Sequence, residues 1–139
     1  MKRAKLIPEE VTRIVVSSTM TMPDEDVADQ LTIEHAVNSV EQLGCHYLIM
    51  RDGEVFTPVA DDERGNWFSR YGSTSVVIVI EGGLNEEAQI ASNYYAGQLN
   101  ALKDITEKLS KKYSNAKVTM HHELFLGVNP VLPEGLFDA

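Results

Sequence analysis

Ser75-Val76-Val77-Ile78-Val79-Ile80 is an almost wholly apolar, mostly β-branched run closed by Gly82 and Gly83. Such a run fits a central strand buried on both faces, because a strand with one wet face alternates polar and apolar residues. Upstream, Ile14 to Ser18 reads as a first strand and His46 to Met50 as a second. Arg51-Asp52-Gly53 reads as a hairpin turn with Asp-Gly at its core, and Glu54 to Pro58 as the returning strand. Val27, Leu31, Ala36, Val40 and Leu43 predict a helix from Asp24 to Leu43, with Gly44 as its left-handed cap. Downstream, Tyr95, Leu99, Leu102, Ile105, Leu109 and Tyr113 step by three or four, which predicts an amphipathic helix from Tyr94 to Tyr113. Lys108, Lys111 and Lys112 sit in its last turns, where the helix dipole favours cations. Lys117 to Met120 reads as a further strand. The order β-α-β-β-β-α-β predicts one α/β domain over 1–139, a central mixed β-sheet flanked by α-helices. Residues 1–10 form an N-terminal extension and 127–139 an irregular tail with two prolines and two glycines.

Composition narrows the function. The chain has 139 residues, 43% hydrophobic and 24% charged, enough for a packed core. A net charge of −9 argues against nucleic acid and against an anionic membrane surface. An acidic surface still suits a basic patch on a protein partner. Cys45 is the one cysteine, so no internal disulfide forms. No apolar stretch follows the basic start, so no secretory signal is expected, and no run reaches the roughly 18 apolar residues of a membrane span.

Several strings in order carry a resemblance. They are Ile14-Val15-Val16-Ser17-Ser18, Gly44-Cys45-His46-Tyr47-Leu48-Ile49-Met50-Arg51-Asp52-Gly53, and 75–83. Then come Lys112-Tyr113, Met120-His121-His122-Glu123, Asn129-Pro130 and Phe137-Asp138. Together they resemble the N-acetylmuramoyl-L-alanine amidases of the short phage-lysozyme and peptidoglycan-recognition-protein type. The resemblance implies a zinc ion on three protein ligands with a fourth position open for water. At the ligand positions this chain has Ser17, His121 and Asn129. The family's tyrosine before the second-strand histidine is Cys45. A lysine found in some members is Gly127, and the family's histidine and asparagine in the loop before the central strand fall on Trp67 and Gly72.

Neither a serine hydroxyl nor an asparagine amide is a good zinc ligand. The reading is therefore a catalytically inactive amidase-like protein with no cofactor. Its partner is expected to be a protein or a phage particle, with peptidoglycan possible. It is expected in the infected cytoplasm or within a virion. The alternatives are a zinc- or cysteine-dependent peptidoglycan amidase, and a regulator that binds phage RNA polymerase. Cys45 with His121 as its base is the candidate catalytic pair. Cys45, His121 and Glu123 or Asp138 are candidates for a rebuilt metal site. Trp67, Phe68 and Tyr71 are candidates for contacts along a groove. His121 and His122, adjacent on a strand, should face opposite sides of the sheet. His46 reads as structural, and Asp61-Asp62-Glu63 as a solvated acidic loop.

Overall fold

The computed structural model describes residues 3–34, 36–68, 70–125 and 128–137. Its elements are β1 (Arg13–Ser18), α1 (Val27–Glu34), β2 (Tyr47–Ile49), β3 (Val55–Phe56), β4 (Ser75–Ile80), α2 (Ala96–Lys112), β5 (Lys117–Met120) and α3 (His121–Leu124). The strands form one sheet in the order β3-β2-β4-β1-β5. β4 runs parallel to β1 and β2, and β5 parallel to β1, while β3 returns antiparallel to β2. The expected mixed sheet is present, and the apolar run at 75–80 is its central strand, buried at all six residues.

Strand alternation sends side chains into two cores. Ile14, Val16, Val76, Ile78 and Ile80 face α2, whose Leu102 and Leu109 are fully buried. Each of those leucines stabilises the fold by about 1.5–3 kcal/mol through leaving water. Val15, Val77, Val79 and Leu48 face the other way, towards Val27 and Leu31 of α1, Leu43, Cys45, Trp67 and Phe68. The tail over 128–137 holds no helix or strand, and its Leu132, Leu136 and Phe137 pack on the α2 side. Gly127 and Asp138 lie outside the described residues.

The helix expected from 24 to 43 is shorter. It ends as Ala36 enters the left-handed region at φ 53°, while the Ala36 N–H bonds the Ile33 carbonyl and the Val37 N–H bonds the Thr32 carbonyl at 2.9 Å. This pair of bonds is a Schellman cap, made here without glycine. A separate 3-10 turn at Val40–Gln42 then carries the apolar spacing onward. Gly44 is consequently no cap. Its backbone is crossed by the 66–67 segment, and a Cβ there would lie 2.0 Å from Asn66 Oδ1 and 2.6 Å from the Trp67 nitrogen.

The acidic loop also differs from expectation. Asp61 accepts hydrogen bonds from Tyr47 and from Lys112 at 2.6 Å, and its carbonyl accepts one from Tyr113. Burial by itself would raise its pKa. The Lys112 and Tyr47 hydrogen bonds and the charges of Lys112 and Lys108 outweigh that and hold it at about 2. Asp61 thus ties the C-terminal end of α2 to the sheet.

Candidate functional site

Parallel strands place their carboxyl ends on one edge, which is where open α/β sheets bind ligands. At that edge β1 ends in Ser17 and Ser18, and β5 ends at Met120. The last rung between these strands is Val16 opposite Met120. Beyond it the chain leaves the ladder, and the Phe125 N–H closes on the His121 carbonyl to form the turn of α3. His121 and His122 are therefore not strand residues, which corrects the expectation of opposite faces. The turn brings the His121 ring over β1, where Nδ1 and Ser17 Oγ share a hydrogen bond of 2.7 Å. Burial and the neighbouring His122 lower the His121 pKa, so the ring is neutral at neutral pH.

Aromatic residues surround this pair. Phe68 meets the His121 ring edge-on at 5.0 Å, and Phe125 stacks on Phe68 at 5.1 Å. Tyr71 meets Phe125 at 5.6 Å and carries the Arg13 guanidinium 4.8 Å from its ring centre. Of the three aromatic candidates, Phe68 and Tyr71 reach the site. Trp67 packs into the α1-side core, with its backbone N–H on the Gly44 carbonyl. Phe125 was not singled out from the sequence, yet its position four residues after His121 is the spacing of one helical turn, which would have pointed to it.

The remaining candidates lie elsewhere. Cys45 is fully buried in the α1-side core, and burial pushes its thiol up to about 12. A thiol held protonated in an apolar core is a poor nucleophile, which corrects the Cys45–His121 pairing. Asn129 lines a groove of about 440 Å³ with Met120, His122 and Glu123 and makes no hydrogen bond to Ser17 or His121. Asp138 is outside the described residues. Among those described, no three His, Cys, Asp or Glu side chains converge as a metal site would require.

His46 is structural, as expected. The Val77 N–H donates to its Nδ1 at 3.0 Å, so its Nε2–H donates to the Glu63 carbonyl at 2.8 Å. Burial lowers its pKa below 6.5, and the Glu63 carbonyl and Asp61 oppose this without cancelling it. The unfolded imidazole takes up a proton as the pH falls past 6.5, and the folded one resists until a lower pH. Between those two values the unfolded state binds more protons, so acidification costs stability. The melting temperature followed from about pH 8 to about pH 5 should therefore fall more steeply below about 6.5. His46→Gln should flatten that slope, leaving the contribution of His121, which has the same sign.

A family model for N-acetylmuramoyl-L-alanine amidase matches residues 8–129. The chain belongs to this family. The endolysin of Klebsiella phage KP32 is 27% identical over 117 residues, covering 84% of this chain and 78% of the relative. That of Escherichia phage T7 is 25% identical over the same shares. The solved Ph2119 endolysin from a Thermus scotoductus bacteriophage superposes with a TM-score of 0.70 at 20% identity, covering 96% of this chain and 86% of that one. Bumblebee peptidoglycan recognition protein SA superposes at 0.66 and 16% identity, over 91% and 78%. The receptor ectodomain complex solved with tracheal cytotoxin superposes at 0.67 and 15% identity, over 91% and 79%. The structures support the amidase fold, and the endolysin names favour the alternative reading, a peptidoglycan amidase, over an inactive particle component. No helix among the described residues is long and apolar enough to cross a membrane.

Proposed function

We propose that this amidase-family protein binds peptidoglycan fragments at the Ser17–His121 edge and does not hydrolyse them with zinc held at His121. Family membership supports the ligand class. The observation that carries the rest is the 2.7 Å Ser17–His121 hydrogen bond. A zinc ligand at position 17 would need an imidazole, thiolate or carboxylate, and this one is a neutral hydroxyl already engaged with His121. The donor set does not fit zinc, so no metal-dependent step is derived. Phe68, Tyr71 and Phe125 would offer apolar ring faces beside the pair.

A second reading, peptidoglycan amidase activity, is favoured by the endolysin names of the relatives. One experiment separates the two. The protein is purified without chelator, its zinc measured, and its co-sedimentation with bacterial sacculi recorded beside clearing of the suspension. Sedimentation without zinc or clearing is expected. Clearing that a chelator abolishes would establish the amidase, and failure to sediment would remove the peptidoglycan reading.

A further inference from the structure

The segment over 19–26 joins Ser17 and Ser18 to α1, which covers the same sheet face as Ser17. It holds little regular structure, yet it is fixed. The Thr21 N–H bonds the Gly82 carbonyl at 3.0 Å, and Met20 takes a left-handed φ of 51°. The outer hold on this segment comes from Arg51, in the turn two residues past β2. Its Nη2 donates to the Thr21 and Met22 carbonyls at 3.1 and 3.0 Å. Its Nη1 meets Glu81 Oε2 at 3.1 Å, and its backbone N–H donates to Glu81 Oε1 at 2.7 Å. Glu81 is anchored in turn, since its N–H bonds the Ile49 carbonyl and its own carbonyl accepts from the buried Gln98. The Arg51 and Glu81 side chains are 15% and 8% exposed, so the pair is shielded from water.

We propose that Arg51 is a positioning residue for the ligand site: its guanidinium holds the 19–26 segment, which leads directly out of Ser17 and Ser18 and bonds Ser18 through the Met20 N–H, and so fixes the end of β1 where a peptidoglycan fragment would bind. The planar fork of arginine can serve a carboxylate and two carbonyls at once. A lysine ammonium can keep the ion pair but is too compact to span all three. Stability and the geometry of the 19–26 segment therefore come apart in one substitution. This inference rests on the peptidoglycan reading, and its test has a part independent of it.

Arg51→Lys is compared with the parent protein by thermal melting, by amide hydrogen exchange and by co-sedimentation with purified sacculi. The melting temperature is expected to fall by less than about 4 °C, because the charge beside Glu81 remains. Exchange at the Thr21 and Glu25 amides is expected to quicken about tenfold, and sacculus affinity to fall about tenfold. Unchanged exchange at those amides overturns the proposal whatever the sacculi show. Quickened exchange with unchanged affinity overturns the link to the ligand. If the parent protein itself fails to sediment, the peptidoglycan reading falls and takes the ligand link with it, while the exchange result still decides whether Arg51 holds the 19–26 segment.

Discussion

Glu81→Ala is expected to lower stability by about 3–5 kcal/mol, the usual cost of leaving one member of a shielded ion pair without its partner. The substitution removes the two carboxylate oxygens that accept from Arg51, at its backbone N–H and at Nη1, and leaves a cation that is 15% exposed facing the Thr21 and Met22 carbonyls. A midpoint drop of roughly 10–15 °C follows for a chain of this size. Glu81→Gln keeps the shape and one acceptor and should cost less than half as much. Urea unfolding of the three proteins checks both values. Equal stability in all three would mean that Arg51 re-solvates freely and that the pair contributes little.

The second large effect concerns the metal position. Ser17→His combined with Asn129→Cys should give a protein that binds about one zinc ion per molecule, since imidazole and thiolate then join His121 as the ligand types the ion prefers. Zinc should also raise the melting temperature of the double variant and leave that of the parent unmoved, by mass action on the folded state. Elemental analysis and melts with and without a chelator read both. A folded double variant that stays free of zinc would show that residue 129 does not reach His121.

What could be read from the chain depended on how local each cause was. β4, β5 and α2 follow from runs whose period is set by neighbours, and their positions agree with the reading of 75–80, 117–120 and 94–113. The end of α1 was hidden, because the left-handed residue of its cap is Ala36 and nothing in alanine announces that conformation. The turn at His121 was hidden for another reason. It begins where the ladder with β1 stops, and Ser17, which then takes over through its side chain, is 104 residues away. Asp61 read as solvent-facing because its partners Tyr47 and Lys112 are 14 and 51 residues distant. At the site, the resemblance places Ser17 and His121 together, whereas the partners of Phe125 and Arg51, which are Phe68 for the one and Thr21, Met22 and Glu81 for the other, lie far off in the chain.

The outer strands of the sheet are β3, with two residues, and β5, with four. An open strand edge is a template on which another chain can accrete. Here the turn that presents His121 also cuts β5 short, and the Thr119 hydroxyl donates to the Lys117 carbonyl within the strand. Lys117 adds a charge at the start of that edge. The bend that builds the site therefore also keeps that open edge short, so a change that straightened the chain through His121 would lose the site and lengthen a sticky border in one step.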